Sequence, residues 1–314
     1  MSRYRNLALF LGLAAVWGSA FMAIKAGLSE FPPVLFAALR YDIAGVVMLG
    51  YAVLRADRWI PADRRQWATV GVGAVLLIAA YHAFLFVGEQ ETTSAAAAVV
   101  VSLSPVLTTL FARVLLPDER LSLVGIVGAL LGLAGVAAVA SPDTTALLST
   151  SVVANLLVFL AALSFALGSV LTTRLDSGLE HETMEAWSMV GGALVMHAVS
   201  LGLGESLAAV TWSPRAFWAL GYLSLGASAA GFLVYFTLLE RLGPIEINLV
   251  SYVAPLFAAL SGFLFLDEVV DVWTGAGFLL IFAGFVVIKR RAIREELPRL
   301  TAALAGRERE SREQ

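Results

Sequence analysis

The sequence predicts an all-α integral membrane protein with ten transmembrane helices in two inverted five-helix repeats. Three observations carry this prediction. Of the 314 residues, 59% are hydrophobic and only 14% are charged, whereas soluble proteins average about 25% charged residues. Ten apolar segments have about the 20 residues that a bilayer core requires. A group of motifs also occurs twice, half a chain apart. Because so little polar surface is available, the solvent around this chain must be lipid.

The ten apolar segments are joined by short loops, which leave no room for a soluble domain between them. In chain order they cover residues 7–24, 34–54, 67–88, 92–116, 121–140, 152–173, 184–203, 216–239, 245–266 and 272–288. The first five form a predicted repeat over residues 7–140, and the last five form a second repeat over residues 152–289. Residues 290–314 mix Arg and Glu, and we expect them to form a solvated cytoplasmic tail.

The duplicated motifs combine a proline inside an apolar segment with an acidic pair at its end. Pro255 lies 150 residues after Pro105, and Asp267-Glu268 lies 149 residues after Asp118-Glu119. A repeat of this length indicates a duplicated unit. Because each unit crosses the membrane five times, the second is inverted relative to the first. This predicts a pseudo-two-fold axis in the membrane plane, as in many secondary transporters.

Glycines recur at the same offset in the fifth and tenth segments. Gly128 and Gly135 lie 149 residues before Gly277 and Gly284. Small residues at these spacings let membrane helices approach closely. We therefore expect tight helix packing there, either within one chain or between the two chains of a homodimer.

The basic residues predict an inner or plasma membrane protein with both termini in the cytoplasm. Cytoplasmic loops are enriched in Lys and Arg. With the N-terminus inside, the outer loops carry only Lys25 and Arg215. The inner loops and the helix ends beside them then carry Arg3, Arg5, Arg55, Arg58, Arg64, Arg65, Arg113, Arg120, Arg174, Arg241, Lys289, Arg290, Arg291 and Arg294.

Several function classes lack their required residues. The chain has no Cys, so disulfides and thiol chemistry are excluded, and three scattered His residues argue against a zinc site. It has no phosphate-binding loop and no zinc or serine hydrolase motif. The net charge of −3 gives no indication of a nucleic-acid partner. We predict no metal, no cofactor and no enzyme activity; the expected partners are lipid and a small-molecule substrate.

The two intrahelical prolines are predicted helix breaks near the membrane midplane. Proline removes one backbone hydrogen bond, and the freed carbonyl must lie near protein or water. Pro105 and Pro255 therefore favour a substrate path, although a packing kink is an equal alternative for each alone. Ser102, Asn248 and Tyr252 share these helices and are candidate substrate-binding residues. Each could instead bond only to its own helix or to a neighbouring one.

Ionisable residues inside a membrane indicate function by default. Arg40 and His82 are candidate substrate-binding residues. Helical rise places Asp42 and His82 roughly 12 Å and 9 Å from the outer ends of their helices. We therefore expect that they could pair as a proton-coupling site, since imidazole titrates near pH 6.5. The alternatives are a structural Asp42–His82 pair, and an Arg40 that extends to the outer interface. His197 fits a helix-packing hydrogen bond.

Two further groups complete the candidates. Trp17 and Ser19 lie near the middle of the first segment and could bind substrate, although Trp17 also fits a core position. Glu246, Asp118-Glu119 and Asp267-Glu268 lie at predicted helix starts, where an acid stabilises the exposed N–H groups. We favour capping over ion coupling for these acids.

Taken in order, these motifs resemble the EamA family of the drug/metabolite transporter superfamily over residues 7–290. The matching motifs are Trp17-Gly18-Ser19, Lys25, Arg40, Ser104-Pro105 and Asp118-Glu119 in the first half, and Gly243-Pro244, Glu246, Asn248, Tyr252 and Pro255 in the second. Pro117 is a departure, since a glycine often precedes the glutamate in this loop of the family. The resemblance implies two EamA repeats and a central cavity lined mainly by helices 3, 4, 8 and 9.

The resemblance also implies export or exchange of small metabolites, often amino acids. We therefore predict a secondary transporter of such metabolites that works by alternating access. One alternative is a related transporter of drug-like, nucleoside or nucleotide-sugar compounds. An alternative of a different class is a polytopic membrane enzyme or scaffold that transports nothing.

Overall fold

A computed structural model describes residues 2–116, 123–140, 150–242, 247, 249–288 and 290. These residues form ten main helices, which confirms the predicted fold class. The helices are α1 Ser2–Gly27, α2 Pro33–Arg55, α3 Arg64–Glu89, α4 Ser94–Leu115, α5 Leu123–Ala140, α6 Thr150–Leu175, α7 His181–Gly202, α8 Pro214–Leu242, α9 Val250–Leu266 and α10 Val272–Ile288. Six of them are long and apolar enough to cross a membrane by length and composition.

Side-chain caps set the starts of several helices. The carboxylate of Asp63 accepts the Gln66 N–H at the start of α3. Thr93 and Ser213 accept N–H groups in the same way at the starts of α4 and α8. Such caps satisfy backbone donors that have no partner inside the helix.

Two helices contain a π-helical stretch at repeat-equivalent positions. The stretches are Gly73–Ala80 within α3 and Tyr222–Ala230 within α8, and their first residues are 149 apart. This is the offset that relates the acidic pairs. Wide π turns are rare and occur frequently at functional sites. Nothing in the hydrophobic pattern predicts them.

The two prolines behave differently. α4 is interrupted at Ser102 and Leu103 and resumes at Ser104, so that Pro105 lies in a new first turn, as the sequence predicts. α9 instead continues through Pro255, and the predicted break there is wrong. Pro255 is only the sixth residue of α9, so its missing N–H affects just one carbonyl of the opening turn.

Contacts between loops follow the alternation of ten crossings. At one face, the Thr211 N–H donates to the Glu30 carbonyl (2.9 Å) and joins the α7–α8 and α1–α2 connections. At the other face, Trp187 Nε1 donates to the Trp59 carbonyl (2.8 Å) and joins α7 to the α2–α3 connection. We call the α1–α2 side the outer face, after the predicted orientation. These contacts therefore fit consecutive helices that run in opposite directions across the membrane.

Candidate functional site

Arg40 lies inside the bundle, with 6% of its surface exposed. Its Nε donates to Ser228 Oγ of α8 (2.9 Å), and its guanidinium carbon lies 5.2 Å from the centroid of the Tyr41 ring. No carboxylate oxygen in the described part of the chain lies within 4.0 Å of the guanidinium. The alternative in which Arg40 extends to the outer interface therefore does not hold. Its positive charge therefore lies among the helices with no anionic partner in the ranges that the structure describes.

His82 bonds to Tyr41, not to Asp42. Its Nδ1 lies 2.8 Å from the Ile78 carbonyl, and its Nε2 lies 2.8 Å from the Tyr41 hydroxyl. Because a carbonyl only accepts, Nδ1 carries a proton, and when the ring is uncharged Nε2 accepts the Tyr41 hydroxyl proton. Both ring nitrogens are thus occupied beside Arg40, and the predicted Asp42–His82 pair is wrong.

Asp42 pairs with α7 instead. Its Oδ2 lies 2.7 Å from His197 Nε2. Asp42 is two residues from Arg40, so it lies about 200° around α2 and faces a different neighbour. The His197 and Asp42 side chains are 34% and 42% exposed. This pair joins α2 to α7 away from Arg40, as the sequence suggests for His197, and the proposed coupling role loses its geometric basis.

α1 meets the π-helical stretch of α8 through two predicted site residues. Trp17 Nε1 donates to the Ala227 carbonyl (3.0 Å), and Ser19 Oγ lies 2.6 Å from the Tyr222 hydroxyl. Both partner groups belong to the stretch Tyr222–Ala230. The irregular backbone of α8 therefore supplies polar groups to α1 and, through Ser228, to Arg40 on α2.

Aromatic rings surround this meeting point and remain partly exposed. The Trp17 ring packs against Phe232 (5.7 Å between centroids) and Tyr235 (5.5 Å). The Tyr81 ring contacts His82 edge-on at 4.5 Å. These rings, together with Arg40, Tyr41, Tyr222 and Ser228, form one group of polar and aromatic side chains from α1, α2, α3 and α8. We call this group the Arg40 cluster.

The candidates on α4 and α9 lie outside the Arg40 cluster. Ser102 is buried, and its hydroxyl donates to the Val99 carbonyl of its own helix (2.6 Å). The Tyr252 ring packs 4.5 Å from Phe285 of α10, and its buried hydroxyl has no partner among the described residues. Asn248, Glu246, Asp118 and Glu119 lie outside the described residues.

Comparison with known proteins identifies the family. Residues 5–141 and 152–290 each match the model of the EamA-like transporter family. The chain belongs to this EamA-like transporter family. It is therefore a multi-pass membrane protein of a transporter family. The resemblance carried by the sequence motifs is confirmed.

Three relatives illustrate the range of this family. The inner membrane transporter YedA of Escherichia coli (strain K12), described as uncharacterized, is 31% identical over 268 residues, with 83% of this chain and 84% of YedA covered. The uncharacterized transporter YvbV of Bacillus subtilis (strain 168) is 26% identical, with 93% and 94% covered. A chloroplastic WAT1-related protein of Arabidopsis thaliana is 27% identical, with 80% and 61% covered.

A solved crystal structure shares the fold. It superimposes with a TM-score of 0.65 at 23% sequence identity, covering 93% of this chain and 99% of the other. The fold is therefore shared over nearly the whole length of both chains.

The sequence alone does not predict several residues of the Arg40 cluster. Tyr41, Tyr81, Tyr222 and Ser228 all contribute to the cluster. Two of these tyrosines adjoin the ionisable residues in sequence, which was an available signal. The other two lie in a π-helical stretch that no pattern predicts. No group of three potential metal ligands occurs in the described ranges of this EamA-like protein.

Proposed function

We propose that this protein is a secondary transporter that exports or exchanges a small metabolite with a carboxylate group, such as an amino acid, by alternating access. The observation that supports the proposal is the buried Arg40, which has no carboxylate partner among the described residues. Inverted-repeat transporters bind their substrates near the membrane midplane, at the interface of the repeats. Arg40 is contributed by the first repeat and its Ser228 partner by the second.

The charge of Arg40 favours a carboxylate. A guanidinium offers five N–H donors in a planar fork, which matches a carboxylate with two parallel hydrogen bonds. In this structure only Nε has a hydrogen-bond partner among the described residues. A buried charge without a partner costs several kcal/mol. A bound anion would supply that partner, and the site would then select for it.

The aromatic rings favour an amphipathic substrate. Trp17, Tyr81 and Tyr222 present partly exposed ring surface within the cluster that contains Arg40. Pockets for small molecules combine such apolar surface with a few polar groups that fix orientation. An amino acid with an apolar side chain has both parts. A sugar or nucleoside without an anionic group lacks the partner that Arg40 requires.

Ligand binding tests the substrate class before transport is measured. The purified protein is heated with amino acids, the matching amino-acid amides, nucleosides or sugars, since a ligand raises the stability of the state that it binds. We expect stabilisation by at least one amino acid and none by its amide, which lacks the carboxylate. Equal stabilisation by acid and amide would contradict the role of Arg40. Stabilisation by a nucleoside or sugar alone would favour the alternative substrate class.

Arg40 variants then link binding to transport. Arg40→Gln should remove the stabilisation and abolish counterflow of the same compound in proteoliposomes. Arg215→Gln, which removes an exposed positive charge at the start of α8, is the matched control and should retain both. Binding without counterflow in the wild-type protein would instead support a membrane enzyme or scaffold. We also propose, from the distribution of basic residues, an inner membrane location with both termini in the cytoplasm.

A further inference from the structure

Glu89, the last residue of α3, carries a buried carboxyl group without partners. The residue is 0% exposed, and neither side-chain oxygen has a hydrogen-bond partner among the described residues. The Ser94 hydroxyl, at the start of α4, is buried without a partner in the same way. Their neighbours Gln90 and Glu91 are exposed. Two buried polar side chains therefore lie sealed from solvent just beneath the outer face, and we call their surroundings the Glu89 pocket.

Charged groups close this pocket from several elements. Lys25 at the end of α1 donates to the backbone carbonyls of Glu89 (3.0 Å) and Gln90 (2.8 Å). Its ammonium lies beyond 4.0 Å from both carboxyl oxygens of Glu89. The carboxylate of Glu268, in the α9–α10 connection, accepts the Ser94 N–H (3.0 and 3.2 Å). The capping role expected of Glu268 thus exists, but it serves a helix of the other repeat.

Charged groups surround Glu89, but none in the described part of the chain donates a hydrogen bond to its carboxyl group. Lys25 and Arg40 supply positive charge, and Glu268 supplies negative charge from the facing connection. Tyr81 is the neighbour on α3 itself. An ionised carboxylate without hydrogen bonds is costly to bury. The sealed geometry therefore suits a neutral carboxyl group, which carries its own proton.

We propose that Glu89 is a proton-binding site that controls opening of the outer face. The role of this site in transport rests on the alternating access proposed above. In the sealed conformation the carboxyl group is protonated. When the Lys25 contacts break and the outer ends of α1 and α3 separate, water reaches Glu89 and the proton leaves to the outer solvent. Resealing takes one proton back from that solvent, so no charge is left buried.

This switch predicts that acid holds the outer face closed. Because the sealed form binds one proton more than the open form at Glu89, mass action favours sealing as the pH of the outer solution falls. Glutamine resembles the protonated acid in size and has no charge. Glu89→Gln should therefore seal the outer face at every pH.

Thiol labelling measures this opening without any substrate. Ser94→Cys places a thiol in the sealed pocket of a chain that has no native cysteine. Its labelling by a maleimide is measured in nanodiscs from mildly acidic to mildly alkaline buffer. Gln90→Cys, which is exposed, is measured alongside to correct for the pH dependence of thiol reactivity. The corrected rate should rise with pH in the native background and stay low and flat with Glu89→Gln.

The proton itself is detected by infrared spectroscopy of the full-length protein. The band of a protonated carboxyl group should weaken in Glu89→Gln and remain in Glu91→Gln, which changes an exposed acid two residues away. If Glu89→Gln cannot be purified, Glu89→Asp replaces it, since it should shift this band. An unchanged band, or a corrected labelling rate with the same pH dependence in both backgrounds, overturns the proposal. Neither measurement depends on transport, so failure of the proposed function would be recognised separately.

Discussion

Gly128 of α5 and Gly284 of α10 meet backbone to backbone. A Cβ atom on Gly128 would lie 2.7 Å from the Gly284 carbonyl oxygen, and one on Gly284 would lie 2.5 Å from that of Gly128. Gly135 and Gly277 form the reciprocal contact, with distances of 2.7 and 2.6 Å. Gly277 is the repeat equivalent of Gly128, and Gly284 is that of Gly135. A two-fold rotation that exchanges the repeats therefore converts one contact into the other. This exchange is what a pseudo-two-fold axis between the two helices requires, and it places the glycine stripes within one chain.

The glycine contact predicts a strong effect of a single methyl group. Gly284→Ala should destabilise the protein by roughly 1–3 kcal/mol, because the new Cβ meets a backbone carbonyl that cannot move aside. Gly275→Ala, on the same helix, is the control, since nothing lies within 4 Å of its Cβ position. The midpoint of unfolding in detergent measures both. Equal midpoints for the two variants would show that α5 and α10 do not pack as described.

The Asp42–His197 contact predicts a measurable coupling across α2 and α7. The variants Asp42→Asn and His197→Gln, alone and combined, form a double-mutant cycle that isolates their interaction. Polar pairs between membrane helices average about 0.6 kcal/mol, and we expect a coupling free energy of that order. The matched cycle of Asp42→Asn with His82→Gln should give a value near zero. A larger value for the His82 cycle would restore the pairing expected from sequence.

These two contacts show which parts of the molecule could be predicted. The helices follow from composition and segment length, and the close glycine packing follows from small residues that recur at the repeat offset. The partner of Asp42 does not follow from the sequence, because a similar depth along two helices says nothing about the direction of a side chain. The π-helical stretch just before His82 also changes the turn on which His82 lies. The Arg40 cluster could therefore be identified only from the three-dimensional arrangement of the helices.

The start of α10 predicts a stability effect that depends on pH. Asp271 Oδ1 accepts the N–H groups of Trp273 (2.7 Å) and Thr274 (2.9 Å), and Oδ2 accepts the Thr274 hydroxyl (2.7 Å). Partial burial raises the pKa of Asp271, but these hydrogen bonds outweigh it and the pKa lies below its usual value. The charged cap therefore stabilises the protein above the unfolded pKa, which is near 3.9. This contribution is lost as the pH falls through the lower folded pKa.

Substitution of this cap should lower stability only where the carboxylate is charged. Asp271→Ala should cost about 1 kcal/mol near neutral pH, as loss of a helix cap typically does. The difference from the native protein should shrink as the pH falls below about 4. Asp267→Asn is the control, because it removes a charge from the same connection while asparagine tolerates the left-handed backbone of this residue. A difference that stays constant down to acidic pH would show that the charge of Asp271 does not stabilise α10.

The orientation of the whole molecule is the last prediction. The loop contacts determine which connections share a face, but not which face is cytoplasmic. The basic residues do distinguish the faces, since only Lys25 and Arg215 lie on the α1–α2 side. Gln90 and Ile60 are exposed in connections on opposite faces, and the native chain has no cysteine. Single cysteines at these two positions therefore report sidedness without background labelling.

In intact cells, an impermeant maleimide should label Gln90→Cys and leave Ile60→Cys unlabelled until the membrane is permeabilised. Reversed labelling would place the termini outside and turn the Glu89 pocket toward the cytoplasm, where it would respond to cytoplasmic instead of external pH. Labelling of both positions in intact cells would mean that the chain inserts in both orientations. Neither result would disturb the inverted repeat, because the reciprocal glycine contacts hold in either orientation. The experiment therefore separates the direction of the protein in the membrane from the symmetry of its fold.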